Sequence, residues 1–405
     1  MTDTQKIIVV TGIGVISPYG VGLSSLHEGL MAGKSCLIPT KGPYPGFEGS
    51  TAPVTDLPEF AASSGYRYSR TDRLGIVAAQ DAIAGFDRKL PALRESGIIM
   101  ASTVGGLSDI DPAIVPDPAA WYRQGNLARA RSYSVARSAA SIGEILDIHG
   151  PSCGVSAACA SVGMAIGLAA NMLLDGLAPM ILAGGSDAIC PFTLSGFSSL
   201  QSLDREPCRP FDQNRKGLNI GEGAAVLVLE TLASATARGA NILAVLRGWA
   251  MSNDASHPTA PQKQGLGLVQ CITSALQMAG AGVDEISYVN AHGTGTPLND
   301  IAETNAYNFV FRERSQPVPV SSTKSYFGHC LGSAGSIEAA IAISAIRSSA
   351  IYPTLRLTDP IESACVDWVR GAVRQQPVSM TMSTSVGFGG SNSVLIFSEY
   401  VGGRA

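Results

Sequence analysis

Cys159-Ala160-Ser161-Val162-Gly163-Met164-Ala165-Ile166-Gly167-Leu168-Ala169-Ala170 and, far downstream, His329-Cys330-Leu331-Gly332-Ser333-Ala334-Gly335-Ser336-Ile337-Glu338-Ala339-Ala340 are two versions of one pattern. In each, a short apolar run ends in a turn of small residues that carries a reactive side chain. A helix almost free of large side chains follows. Helices of this kind can pack tightly against sheets on both faces and lie at the centre of a fold. The repeat predicts two pseudo-duplicated α/β halves, residues 1–247 and 248–405, meeting near Arg247–Gly248, with buried central helices in layered sheets and a site between the halves.

The rest of the chain agrees with an α/β protein, because β-branched runs alternate with alanine-rich helical stretches. Strands are predicted at Ile7–Thr11, Gly97–Ser102, Pro179–Gly184, Ala224–Glu230, Leu243–Ala250, Ile286–Asn290, Val318–Ser321, Met380–Thr384 and Ser393–Phe397. Helices are predicted at Thr71–Ala84, Val135–Asp147, Ala160–Leu174, Ala233–Arg238, Gln264–Ala279, Asp300–Phe309 and Ser333–Arg347.

With 405 residues, 45% of them hydrophobic, the chain can bury a large core. A net charge of −4 and a pI near 5.8 leave no basic footprint for nucleic acid. The apolar stretch from Ile7 to Ile16 is too short and glycine-broken to span a bilayer, and Lys6 alone makes a poor signal-peptide start, so a cytoplasmic protein is expected. The eight cysteines are scattered, with no Cys-x-x-Cys pair, which suggests neither a zinc site nor a disulfide framework.

Cys159 precedes a predicted helix, where unpaired amides and the macrodipole favour a thiolate. Two of only five histidines lie in glycine-rich turns, His292 in His292-Gly293-Thr294-Gly295-Thr296-Pro297 and His329 after Lys324-Ser325-Tyr326-Phe327-Gly328. A buried small thiol and two loop histidines would be the ordinary reading of each residue alone. Together, each at a strand-to-helix turn, they point to thioester chemistry. Asp300 and Glu303 open the next predicted helix and read first as capping charges. Lys324 lacks basic neighbours, and its place five residues before His329 suggests a partner for Glu303 inside the site.

Two competing motifs fail on context. Gly12-Ile13-Gly14 follows a strand, as in a dinucleotide loop, but Ser17 and Pro18 stand where the third glycine is needed. Gly150-Pro151-Ser152-Cys153-Gly154 matches a hydrolase elbow in spacing, yet its strand follows the serine.

Six stretches in order resemble the β-ketoacyl-[acyl-carrier-protein] synthase family, condensing enzymes of fatty-acid and polyketide assembly with a thiolase-like fold. They are Val9-Val10-Thr11-Gly12-Ile13-Gly14 through Pro18; Ala158-Cys159-Ala160-Ser161; Arg209-Pro210-Phe211-Asp212 with Gly221-Glu222-Gly223-Ala224; the His292 turn with Asn299, Asp300 and Glu303; Lys324-Ser325 with Gly328-His329; and Gly387-Phe388-Gly389-Gly390-Ser391-Asn392. The resemblance implies that Cys159 takes an acyl chain from a carrier protein and that the amides of Cys159 and Phe388 form the oxyanion hole. His292 and His329 would donate to the malonyl thioester carbonyl, Lys324 and Glu303 would hold the histidine region, and Thr294 and Thr296 would bind the phosphopantetheine arm. It implies no metal or other cofactor on the enzyme itself, an acyl carrier protein as partner, and a homodimer or a heterodimer with a related subunit.

Departures from the family pattern lie at Ala157, Lys216, Val386 and Ser391, and Val386 stands beside the Phe388 gate. The region Gly105 to Arg137, with Trp121 and Tyr122, matches the family poorly, and in relatives it lines the acyl pocket. The alternative from another class is a catalytically silent, chain-length-factor-like partner, which typically lacks the cysteine. A degradative thiolase would need a second cysteine near the C-terminus, and none follows Cys365. The Cys-His-Asn synthases carry asparagine where His329 stands.

Overall fold

The computed structural model describes residues 6–42, 47–61, 68–109 and 133–402. Its frame is a twelve-stranded mixed sheet. In chain order the strands are β1 (Ile8–Ser17), β2 (Gly20–Val21), β3 (Gly97–Ala101), β4 (Ser152–Val155), β5 (Ile181–Asp187), β6 (Gly223–Thr231), β7 (Ala244–Asn253), β8 (Tyr288–Asn290), β9 (Val318–Ser321), β10 (Val366–Trp368), β11 (Met380–Val386) and β12 (Ser391–Ser398). They hydrogen-bond in the order β10-β9-β8-β11-β12-β7-β1-β6-β5-β3-β4, with β2 paired to β1. The central pairs are antiparallel, whereas β8, β9, β10 and β11 at one end and β3, β4 and β5 at the other pair in parallel. Arg247–Gly248 lies within β7, next to a register shift between Leu246 and Gly248 against β12.

Five helices matter for the site: α1 (Arg70–Ala82), α2 (Ser161–Leu174), α3 (Leu266–Ala279), α4 (Pro297–Val310) and α5 (Ala334–Ser348). Every residue of α5 from Ala334 to Ile346 is buried. One apolar cluster unites α2 residues such as Val162 and Ile166, α5 residues such as Ile337 and Ile341, and residues from both arms of the sheet, including Ala183, Tyr288 and Phe397. The two small-residue helices therefore form the centre of the molecule, as the repeat implies. α2 departs from full burial along one stripe, where Met164 and Leu168 are each more than a third exposed.

Small residues are required where these elements touch. A Cβ at Gly163 of α2 would sit 2.3 Å from the Ser393 side chain on β12. No rotamer change at Gly163 could relieve that contact, so the helix can lie this close to the sheet only without a side chain there.

The remaining sequence reading holds in element type and shifts at the ends. β1 continues through Gly12 and Gly14 to Ser17, past the predicted end at Thr11. The glycines that resembled a dinucleotide loop are thus strand residues, kept small because α1 packs on them. Helices at Leu23–Met31 and Pro191–Ser199 were not anticipated; their polar and glycine-containing sequences lack a strong apolar stripe. A Cβ at Gly14 would fall 1.9 Å from the Ala78 carbonyl oxygen. We expect Gly14→Ala to lower stability by at least about 1–3 kcal/mol, the usual range for overpacking, read as a reduced urea midpoint; an unchanged midpoint would contradict the contact.

Candidate active site

The turn that carries Cys159 is built under strain. Ala158 takes a left-handed conformation, φ 50°, just before Cys159, which costs a non-glycine residue about 1–2 kcal/mol. The Ser161 hydroxyl holds the turn by accepting from the Ala157 N–H at 2.7 Å and donating to the Ala158 carbonyl oxygen. α2 begins at Ser161, so Cys159 stands just outside its N-terminus.

His292 lies two residues beyond β8, in a turn that Glu303 of α4 secures from behind. One Glu303 oxygen accepts from the His292 N–H at 2.9 Å and the other from the Gly293 N–H at 2.6 Å. Gly293 and Gly295 both have positive φ, 37° and 83°, a backbone path that larger residues resist. His329 is pinned by main chain: its N–H donates to the Asn219 carbonyl, and its carbonyl accepts from the Gly221 N–H.

These turns converge. His329 Nε2 lies 3.0 Å from Cys159 Sγ, and the two imidazole rings meet edge to face with centroids 5.0 Å apart. All three groups are buried at the end of a cleft of about 300 Å³. Thr294, Thr296 and Phe388 line the same cleft, with the two threonine hydroxyls 2.9 Å apart. The Phe388 N–H points at the Cys159 sulfur. A Cβ on Gly387 would lie 3.1 Å from the Cys159 nitrogen, so a side chain there would crowd the cysteine amide.

The hydrogen bonds on the far side of each ring set its tautomer. The Leu331 N–H donates to His329 Nδ1 at 3.1 Å, and Lys324 Nζ contacts His292 Nδ1 at 3.2 Å. Burial, reinforced by the Lys324 charge, holds both histidines well below their ordinary pKa, hence neutral. A neutral ring that accepts at Nδ1 carries its proton on Nε2. Both Nε2–H groups are thereby offered to the cleft. The sulfur and ring nitrogens lie within 4.8 Å of one another, close enough to hold a metal ion, but a ligating histidine usually donates from its second nitrogen. Here both second nitrogens accept.

The chain aligns over residues 5–235 with the β-ketoacyl synthase N-terminal domain and over 243–358 with the C-terminal domain. The chloroplastic 3-oxoacyl-[acyl-carrier-protein] synthase I of Hordeum vulgare is 33% identical, covering 98% of this chain and 90% of the barley protein. The tetracenomycin ketoacyl synthase alpha subunit of Streptomyces glaucescens is 31% identical over 98% and 97%. The chain belongs to the β-ketoacyl synthase family. Among solved structures, the ishigamide ketosynthase/chain length factor superposes with a TM-score of 0.89 at 30% identity, covering 98% of this chain and 99% of that one. A β-ketoacyl synthase from Burkholderia phymatum gives 0.86 at 29%, over 98% and 100%.

Three expectations for this β-ketoacyl synthase site need correction. Lys324 does not pair with Glu303. Its ammonium group is bound by Glu338 of α5, and both side chains are buried. Glu303 and Asp300 are likewise no surface caps: both are fully buried, and Asp300 accepts from the Phe211 and Gly295 N–H groups. The third correction concerns the thiol. Burial pushes Cys159 up to about 12, against the lowering influence of Lys324 and the Phe388 N–H, so the helix terminus does not leave a thiolate in the free site.

Glu338, Ser161, Tyr307 and Thr384 escaped sequence reasoning. Glu338 had a signal, since it is the lone acid in a helix whose only other charged residue is Arg347 in the last turn. Trp121 and Tyr122 lie outside the described residues. Among the described residues, no helix is long and apolar enough to cross a membrane. Because burial keeps the thiol protonated, alkylation of Cys159 by iodoacetamide should accelerate about tenfold per pH unit from about pH 7 to 9 without a plateau. A plateau below about pH 8, followed by intact mass, would show a thiolate already present.

Proposed function

We propose that the protein is a decarboxylating β-ketoacyl-[acyl-carrier-protein] synthase that extends an acyl chain by two carbons. The observation that carries this reading is the meeting of one thiol with two imidazole Nε2–H donors at the end of one cleft. Cys159 sulfur attacks the acyl thioester of a carrier protein; the carbonyl–sulfur bond to the carrier breaks, and the thiol proton leaves with the carrier's sulfur. The oxyanion of that step lies against the Cys159 and Phe388 N–H groups.

Malonyl carrier protein then enters the emptied arm position, where Thr294 and Thr296 hydrogen-bond its phosphopantetheine. His292 and His329 donate to its thioester carbonyl. Cleavage of the carboxylate–carbon bond releases carbon dioxide and leaves an enolate, whose charge these donors stabilise. The enolate carbon attacks the acyl-Cys159 carbonyl, the carbon–sulfur bond breaks with its electron pair going to sulfur, the sulfur regains a proton from water, and the 3-oxoacyl product departs on its carrier. Lys324, held by Glu338, and Glu303, bound to the histidine turn, keep His292 in place. In this reading the only prosthetic group is the arm supplied by the carrier.

The partners of this reading are an acyl carrier protein and a second subunit, either another copy or a related chain. Structures of similar proteins include a type II ketosynthase with its carrier protein and ketosynthases with their chain length factors. We read the chain as two thiolase-like halves, 1–247 and 248–405, on the support of the matched places of α2 and α5. The location in this reading is the cytoplasm. A silent chain-length-factor role is disfavoured by the complete thiol and histidine set.

Intact-mass analysis with acyl and malonyl carrier proteins tests the reaction. Cys159→Ala should abolish acyl loading with the fold intact, and Cys159→Gln should retain malonyl decarboxylation; acyl loading on the alanine variant would remove the nucleophile assignment. His329→Ala should slow decarboxylation by roughly 10²–10³, the usual effect of one lost oxyanion donor, and acyl loading by less. Equal losses in both steps would point to misfolding.

A further inference from the structure

Glu303 is held from a side that the reaction does not touch. Besides the two main-chain donors of the histidine turn, its carboxylate accepts from Asn299 Nδ2 at 2.8 Å and from the Tyr307 hydroxyl at 2.9 Å. Thr384 Oγ1 lies 3.3 Å from the same carboxylate oxygen, 3.3 Å from the His292 nitrogen and 2.8 Å from the Tyr307 hydroxyl. Tyr307, Thr384, Glu303 and His292 are all essentially excluded from solvent.

The backbone explains this convergence. Glu303 and Tyr307 are four residues apart on α4 and so share one face. Thr384 follows Ser383 on β11, and Ser383 is aligned with Asn290 at the end of β8. The strand pairing therefore brings Thr384 beside the turn that begins at Ala291. The two hydroxyls can form one directional chain: Tyr307 O–H donates to Glu303, Thr384 O–H donates to Tyr307, and the His292 N–H is shared between Glu303 and Thr384.

We propose that Tyr307 and Thr384 are positioning residues for His292, acting through the Glu303 carboxylate that both touch. The inference rests on the condensing-enzyme reading above, in which His292 must present Nε2–H at a fixed place. Neither residue reaches the cleft, so neither is catalytic. Loss of the phenolic hydroxyl leaves a buried carboxylate with one donor fewer, and the His292–Gly293 turn with a weaker anchor.

The electrostatics give the arrangement a readout. Burial, with the charge of Asp300, pushes Glu303 up to about 7, while the Gly293 N–H, the Tyr307 hydroxyl and Lys324 oppose that rise. The groups facing it are Asp300 and Tyr307 from its own helix, His292 from the turn, Thr384 from β11 and Lys324 from the segment after β9; Arg215 is 3.7 Å from Asp300. Removing the Tyr307 donor raises Glu303 further. At a given pH near neutrality less of it is charged, and the acid limb of any step that needs the charged form moves to higher pH.

The test compares the parent protein, Tyr307→Phe, Thr384→Val and Thr384→Ser for malonyl decarboxylation and for acyl loading between about pH 5.5 and 9. In Tyr307→Phe, kcat for decarboxylation should fall about tenfold at pH 7, with KM nearly unchanged and the acid limb moved to higher pH. Acyl loading should change less. Thr384→Val should behave similarly, and Thr384→Ser should restore the parent profile. A parent-like profile in both Tyr307→Phe and Thr384→Val, or an equal pH-independent loss in both half-reactions, would overturn the proposal. If Tyr307→Phe does not fold, the two Thr384 variants decide.

A readout independent of turnover is the His292 ring resonance in a histidine-labelled sample, assigned by its loss in His292→Asn. It should shift with a midpoint near 7 in the parent and at higher pH in Tyr307→Phe. An unmoved midpoint would also overturn the proposal. A moved midpoint in a protein without any decarboxylation would instead refute the condensing-enzyme reading and leave the coupling standing.

Discussion

The contact between Lys324 Nζ and His292 Nδ1, with Glu338 holding the ammonium group, governs the remainder of the site. A lone ammonium at this depth would cost several kcal/mol in desolvation. Glu338 makes it tenable, and burial, reinforced by the ammonium charge, keeps His292 from gaining a second proton. The ring then faces the cleft as a neutral donor. His329 reaches the same state by a cheaper route, because a main-chain N–H at Leu331 occupies its Nδ1. Two imidazoles five ångströms apart would repel if charged. Neutral, they can act on one carbonyl oxygen.

Holding these groups together places a demand on the whole fold. Glu338 lies in the second turn of α5, whose residues from Ala334 to Ile346 are all buried, so this helix must run through the centre of the molecule with little bulk around the acid. Cys159 comes from the turn before α2, the matching helix of the other pattern. The small side chains of α2 and α5 let both helices lie inside one sheet system, which brings residues 159, 292, 324, 329 and 338 to one point. The strain at Ala158 is part of the same arrangement, since Ser161 and the beginning of α2 confine the turn that aims the sulfur.

Much of this was legible in the chain. Cys159, His292 and His329 stood out only as a set, three reactive groups each at a strand-to-helix turn, and all three meet as expected. The repeated small-residue pattern also foretold two central helices. Pairings were less accessible. Lys324 and Glu303 were close enough in kind to suggest a bond, but the lysine bonds Glu338, fourteen residues along, across a short helix at Lys324–Phe327 and a turn at Leu331–Ser333. The protonation of Cys159 went against the helix-terminus argument: depth of burial is a property of the packed molecule, and here it outweighs the terminal amides.

The amino-acid order by itself determined the α/β class, the family, and the candidate site residues Cys159, His292 and His329, because each depends on residue type, period or local turn chemistry. The tertiary structure alone decided which carboxylate neutralises Lys324, which ring nitrogen carries each proton, and which hydroxyls reach Glu303. Those choices depend on distances of about 3 Å between segments as much as 81 residues apart, and no local pattern encodes a distance that only the packed sheet and helices create.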